Sequence, residues 1–433
     1  MSLLRDPLTH LTDARERYGD AVTFRVGPFR FVALADPALA QHVLVRNHRN
    51  YVKSRSYEGL RLVLGQGLVT SEGEHWRKQR KLAQPAFHRQ RLAALADTMG
   101  ACVRETVDGW ERRADPAIDV HAEMMALTLA IVARTLFGTD LAEDGGTDLR
   151  ALGPAVTVAL HKANEHAESL IRLPLWWPTR SNRRFAKAKR LLDDIVQGII
   201  ERRRRSGEVR DDLLGTLMAA TDEDGGGGMS DAQLRDEVMT LFLAGHETIA
   251  TATSWTFMLL HQHPEIAARM REEATRVLGG RTPGFDDLPQ LPYTGQVIDE
   301  AMRLYPPVWI VERQALAPDQ IGPWHVPKGT IVAVSPWLMH RHPELWPDPL
   351  RFDPERFAPG QLGERAKLAY LPFGAGPRVC IGNHFALMEA KIILATVVQR
   401  FAIAVDDPAS IRLEPKVTLR PEGGMKGRLQ RLA

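Results

Sequence analysis

Between Ser230 and Pro264 the chain spells one long apolar helix, and no other feature limits the fold as tightly. Ser230-Asp231-Ala232-Gln233 is a capping-box pattern, whose hydroxyl and amide satisfy free N–H groups at a helix start. His263-Pro264 marks the stop, because proline lacks an N–H and clashes with the preceding turn. Between the two signals lie roughly 30 residues, about 45 Å of helix at 1.5 Å per residue. From Met239-Thr240-Leu241-Phe242-Leu243 to Trp255-Thr256-Phe257-Met258-Leu259-Leu260 it is apolar nearly all round. Such a helix runs buried through the middle of a large domain. The expectation is a single domain over residues 1–433 rather than separate modules.

Composition agrees with that size of core. Of 433 residues, 44% are hydrophobic and 25% charged, the balance of an ordinary globular protein. A formal net charge of +3 gives no global electrostatic case for nucleic acid. Cys102 and Cys380 are too few and too far apart for a disulfide framework, which suits a reducing compartment. The start, Met1 to Pro7, lacks the apolar stretch of a signal peptide or membrane anchor. No later segment has the roughly 18 consecutive apolar residues that a spanning helix needs. The chain reads as cytoplasmic.

Around the long helix the pattern is mostly helical from Asp36 to Ala220, with period near 3.6. Ala21 to Val26, Gly27-Pro28, and Phe29 to Leu34 read as a β-hairpin. Two breaks interrupt the helices: the apolar loop Leu173 to Pro178, and Asp222 to Gly228 with its four glycines. Arg202 to Arg205 is a basic run at a helix end, where it complements the dipole. Beyond Pro306-Pro307 come short strands, proline-rich loops and a last helix from Asn383 to Phe401. The fold class is α+β, predominantly α-helical, with small β-sheets around the long central helix.

The richest chemistry lies in Leu371-Pro372-Phe373-Gly374-Ala375-Gly376-Pro377-Arg378-Val379-Cys380-Ile381-Gly382. Glycines let a backbone turn sharply and approach a large flat ligand. A cysteine at a helix amino terminus has its thiolate favoured by free N–H groups and the dipole. A thiolate with N–H donors beside it suits a haem iron. Cys102 reads as a small buried hydrophobe. By average usage the pattern F-G-x-G-x-R-x-C-x-G arises by chance on the order of once in 100,000 chains of this length. A zinc site using Cys380 and His384 is the alternative, although no further cysteine lies nearby to complete it.

This segment resembles the haem-binding loop of the cytochrome P450 family. The resemblance implies the cytochrome P450 fold and haem b, with Cys380 as axial ligand of the iron. Phe373, Gly374 and Gly382 would shape the loop beside the sulfur, and Arg378 would pair with a haem propionate. Ala244-Gly245-His246-Glu247-Thr248, midway along the central helix, is similar to the family's oxygen-activation motif. Read alone, it is as compatible with a satisfied core pair as with a widening of the helix beside an O2 site. By resemblance Thr248 would hydrogen-bond dioxygen at the iron, and Glu247 would belong to the proton-delivery network. Ile249 stands where a second hydroxyl often follows.

Trp76 and Arg80 face the same way at i,i+4, as on any amphipathic helix, but they resemble the family's propionate-binding pair. Arg313 matches another propionate-binding arginine. Glu300, Arg303 and Arg356 resemble the Glu–Arg–Arg network behind the haem, a structural rather than catalytic set. These matches run in family order from Trp76 to the last helix, and more loosely through the hairpin. The proline-rich leader common before the first strand is short or absent.

The function implied is a monooxygenase that hydroxylates or epoxidises an apolar terpenoid, fatty acid, steroid or polyketide with O2. Substrate contacts are expected from residues 57–69, 157–177, the face of the central helix around Leu241 and Ala244, 308–311 and 417–425, with Leu60, Leu62, Val63, Leu64, Trp176, Trp177, Val308, Trp309 and Ile310 among them. Most of these side chains could equally be core. No fused reductase is expected, so a separate ferredoxin or flavodoxin with its reductase would supply electrons to a monomer. Arg77, Lys78 and Lys81 would offer it a basic face. A haem peroxygenase or isomerase on the same fold, and a haem gas-binding protein without turnover, are the other classes.

Overall fold

The computed structural model describes residues 6–138, 149–169, 174–207, 212–220, 228–361 and 369–432. Leu173 and the glycine-rich break from Asp222 to Gly227 lie outside them.

The central helix runs from Asp231 to Gln262. Ser230 Oγ accepts the Gln233 N–H, and Gln233 Oε1 accepts the Ser230 N–H at 2.8 Å, closing the capping box. Every residue from Ile249 to Leu260 is buried. Three of the four hydroxyls in that stretch are satisfied locally: Thr253, Ser254 and Thr256 donate to the carbonyls of Ile249, Ala250 and Ala252, while the buried Thr251 hydroxyl has no protein partner among the described residues. The helix packs on Val120–Phe137, Pro292–Leu304 and the last helix, Asn383–Arg400. Their apolar faces share one large core. Among the described residues, Val120–Phe137 is also the one helix long and apolar enough to cross a bilayer, but it is mostly buried here.

Gly245 sits where the central helix meets Val120–Phe137. A Cβ there would lie 3.0 Å from a Val132 methyl, so the glycine serves close approach of two helices. Residues 244–248 are regular α-helix.

Twelve strands among the described residues make four small sheets: β1 (Ala21–Val26), β2 (Phe29–Leu34), β3 (Tyr51–Lys53), β4 (Ala117–Asp119), β5 (Val311–Ala315), β6 (Asp319–Ile321), β7 (Trp324–Val326), β8 (Ile331–Val334), β9 (Phe401–Val405), β10 (Leu413–Pro415), β11 (Leu419–Pro421) and β12 (Lys426–Arg431). The largest has order β1-β2-β8-β5-β3. Its first two strands are the expected hairpin, closed at Val26↔Phe29 with Gly27 at φ 57°. Its far edge pairs Lys53 with Arg313. The hairpin β10–β11 faces Glu414 with Arg420.

An N-terminal helix, Pro7–Tyr18, precedes β1 and was not anticipated. Its signals are present: Asp6 caps the Thr9 N–H, Pro7 starts the first turn, and Gly19 ends it at φ 87°.

Candidate haem and oxygen site

The cysteine loop is shaped by hydrogen bonds along its own backbone. The N–H groups of Gly374, Val379 and Cys380 donate to the carbonyls of Leu371, Gly376 and Phe373, the last at 3.0 Å. Gly374 and Gly376 hold φ of 72° and 70°, conformations that favour glycine. A Cβ on Gly376 would also fall 2.1 Å from the Leu44 carbonyl oxygen. Gly382, at φ −95°, is under no such demand; it caps the last helix and directs its N–H to Cys380.

Cys380 is exposed, yet the surrounding protein still desolvates its sulfur. Burial pushes the thiol up, against the pull of the Gly382 N–H and the Arg80 guanidinium. This corrects the expectation that a helix amino terminus by itself favours the thiolate: helix and arginine oppose desolvation without overcoming it. A coordinated metal ion would reverse the balance, since a ligating thiol is deprotonated outright.

Cations surround the loop in two groups. Arg80 donates to the Val379 carbonyl at 2.9 Å and stands beside Cys380. Arg378 lies over the Trp76 ring at 3.7 Å, donates to the Ser71 carbonyl and pairs with Glu72. Arg313, buried on β5, joins Arg378 in one cluster with Lys53 and Arg61. Burial, then Arg313 and Arg378, hold the Lys53 ammonium well below the usual lysine range. So Arg313, Arg378 and Trp76 come together, whereas Arg80 lies nearer the sulfur. Lys53 and Glu72 were not singled out from sequence, because ordinary strand and turn residues carry no motif.

A haem fits this donor set. Glu72 pairs with Arg378 and also acts on Lys53, while burial with Arg313 and Arg378 lowers the Lys53 ammonium; two propionates would relieve that crowding of positive charge. The exposed cysteine and the glycine-turned backbone beside it suit an iron and a flat ring.

On the central helix, Ala244 is exposed and Thr248 half-buried, one turn apart, while Phe242, Leu243, His246 and Glu247 between and beside them are buried. Thr248 Oγ1 donates to the Ala244 carbonyl at 2.7 Å. His246 points away, its Nε2 against the Met125 carbonyl, and burial lowers it to about 4. Glu247 is buried, and Thr418 Oγ1 donates to its Oε1 at 2.9 Å, with Arg420 Nη1 3.6 Å from the same oxygen. Burial pushes its carboxyl up against the pull of Arg420 and Thr418. Both partners fall in the segment expected to touch substrate.

The triad is built as expected. Arg303 Nε and Nη2 each donate to Glu300 at 2.7 Å, and Arg356 Nε stands 3.4 Å from Glu300 Oε1. Arg303 also donates to the His340 carbonyl, while His340 Nε2 accepts the Leu371 N–H at 2.9 Å. The network therefore reaches the first residue of the cysteine loop.

A cavity of about 540 Å³ is lined in part by Leu60, Val69, Val308, Trp309, Ile310 and Val417, from three of the segments expected to contact substrate. Val63 and Leu64 are core instead. Trp176 and Trp177, expected at the substrate, stand on the surface at 76% and 51% exposure. Their apolar loop turns outward, the reverse of what composition suggested.

A long buried helix, a glycine-turned cysteine loop and a buried Glu–Arg–Arg network define a haem-thiolate protein. The family model for cytochrome P450 matches residues 3–426, and the chain belongs to the cytochrome P450 family. Family members bind haem through a cysteine thiolate, and two of the similar proteins are named a monooxygenase and an oxygenase: the protein is an oxidoreductase of the monooxygenase kind. Cyclooctat-9-en-7-ol 5-monooxygenase of Streptomyces melanosporofaciens is 39% identical over 407 residues, 93% of this chain and 86% of that protein. Cyclooctatin synthase of the same organism is 37% identical over 96% of this chain and 90% of its own length. Pentalenene oxygenase of Streptomyces avermitilis is 37% identical over 95% and 90%. Among solved structures, the haem domain of cytochrome P450DA superposes with a TM-score of 0.89 at 27% identity, covering 99% of this chain and 93% of that one.

Proposed function

We propose that this protein is a haem b monooxygenase that inserts one oxygen atom from O2 into an apolar terpenoid, with electrons from a separate ferredoxin or flavodoxin. The observation that carries the reading is the cysteine loop: an exposed Cys380 with Arg80 beside it and the buried cluster of Arg378, Arg313 and Lys53 nearby. The substrate class is supported by the apolar cavity and by relatives named for pentalenene and cyclooctat-9-en-7-ol.

Cys380 would hold the iron, with the Gly382 N–H and Arg80 tempering its charge. Phe373 and Gly374 would set the turn of the loop that holds the group. Arg378, Arg313 and Lys53 would take the propionates, and Trp76 would hold Arg378 in place by stacking. Bound haem supplies the activation of dioxygen and the attack on a C–H or C=C bond. Thr248 would turn its hydroxyl from the Ala244 carbonyl toward the haem face, and Glu247 would restock the protons consumed there. That acid–alcohol pair favours O2 chemistry over a peroxygenase or a passive gas carrier. The face around Arg77, Lys78 and Lys81 would dock an acidic electron donor. A monomer in the cytoplasm accords with two unbridged cysteines.

The absorption spectrum of the reduced, CO-bound protein tests the centre of the proposal. The thiolate-ligated signature is expected, and Cys380→Ser should abolish it. A variant that kept it would refute the ligand assignment. Turnover with NAD(P)H and surrogate partners, compared with peroxide alone, separates the monooxygenase from a peroxygenase.

A further inference from the structure

Oxidation of RH to ROH with O2 consumes two electrons and two protons and releases water, so protons must reach the buried helix face at each turnover. Beside Arg420, the guanidinium that reaches Glu247, lies a cavity of about 490 Å³, bordered by His121, His246, Glu414 and Arg420 itself. Arg420 spans from it to the carboxyl. Its Nε donates to Glu414 Oε2 at 2.7 Å, and its Nη1 stands 3.6 Å from Glu247 Oε1.

This arrangement is held rigidly. Leu419, between Thr418 and Arg420, is fixed on both sides of its backbone. Its N–H donates to the Pro307 carbonyl at 2.9 Å, and its carbonyl accepts the Trp255 indole N–H at 2.7 Å. Neighbours of a fixed strand residue share the opposite face, so Thr418 and Arg420 are both delivered to Glu247. Glu414 is the cross-strand partner of Arg420 and competes for the same guanidinium. Both histidines at the cavity are neutral near pH 7, since burial lowers each to about 4. The charges that act on Glu247 from the hairpin are therefore Arg420 and Glu414.

We propose that Arg420 is a positioning residue, shared between Glu414 and Glu247, and that the cavity beside it is the entrance through which solvent protons reach the Glu247 carboxyl. The proposal rests on the monooxygenase reading for the use of the protons, but not for the geometry. A proton lost from Glu247 toward the helix face is replaced from water in the cavity, and no electron moves in that step.

Two substitutions carry opposite signs. Arg420→Gln removes the cation and should raise the Glu247 titration by about one unit or more. Glu414→Gln removes the competitor and leaves Arg420 to Glu247, so the titration should fall. The readout is the carboxyl C=O stretch in infrared difference spectra of the ferric holoprotein against pH, assigned by its loss in Glu247→Gln. During turnover, Arg420→Gln should also raise the solvent isotope effect and lower product formed per NAD(P)H, and Arg420→Lys should restore both in part. A hairpin with a merely structural role predicts the same direction for both variants. Shifts of the same sign, or none, would overturn the proposal. Failure of the CO spectrum would instead overturn the haem-thiolate reading while leaving the carboxyl titration measurable.

Discussion

Replacing Arg303 by methionine should be among the costliest single changes in this protein. The side chain is wholly buried, and its guanidinium satisfies both oxygens of Glu300 at 2.7 Å. It also donates to the carbonyls of His340 and Pro349 at 2.7 Å and of Arg351 at 3.1 Å. Methionine fills comparable apolar volume but supplies no donor. Glu300 would keep the Asp353 N–H at 2.9 Å and Arg356 at 3.4 Å. Breaking one side of a buried pair costs about 3–5 kcal/mol, and about 4 is expected here because partial satisfaction remains. With an unfolding entropy of about 2.1 cal/mol/K per residue, a chain of 433 residues loses roughly 4 °C of Tm for that cost.

Urea unfolding of the holoprotein, followed by tryptophan fluorescence, measures the change. The paired variant Glu300→Leu/Arg303→Met removes both charges, and apolar replacement of a whole buried pair is often near neutral. It should therefore be more stable than the sum of the two single changes by about 2 kcal/mol. Because His340 links Arg303 to Leu371, haem should also leave the Arg303→Met protein faster. If that variant lay within about 1 kcal/mol of the parent, or the double change were simply additive, the account of the triad as a coupled support for the cysteine loop would be wrong.

Gly376→Ala should leave far-UV circular dichroism near that of the parent but lower the ratio of haem to protein absorbance. Its Cβ would meet the Leu44 carbonyl oxygen beside the cysteine loop, so full haem occupancy would contradict the close-approach argument. His246→Phe should flatten the acid side of the stability profile. His246 falls from about 6.5 unfolded to about 4 folded, so its contribution is complete above the higher value and lost as pH drops toward the lower one. That loss amounts to roughly 1.4 kcal/mol per pH unit, read as the pH dependence of the urea midpoint. An unchanged slope would mean that His246 is protonated in the folded protein. Neutralising Lys78 and Lys81 together should slow reduction by an acidic ferredoxin and weaken its salt dependence; unchanged stopped-flow rates would place the docking face elsewhere.

Much of the site was legible because its chemistry demands rare residues in fixed local order. Cys380 needs a turn that only Gly374 and Gly376 adopt, and Ser230 with Gln233 must cap a helix too apolar to stand alone. Those constraints act within a few residues and leave a pattern in sequence. Pro7–Tyr18 left one too, in Asp6, Pro7 and Gly19. The glycine at 245 was harder, since the reason for it lies on another helix, at Val132.

The sequence by itself determined the long central helix, the cysteine loop and the order of the motifs, because backbone capping, turn conformation and apolar periodicity are local. Only the tertiary structure decided which charges meet. Lys53 and Glu72 join Arg313 and Arg378 through strand pairing and a turn far apart in the chain, and Arg80 goes to the Val379 carbonyl. Folding likewise turned Trp176 and Trp177 outward and brought Thr418 and Arg420 onto Glu247 from 171 residues away or more. Coulomb interactions and burial depend on distance in space, and no spacing along the chain records it.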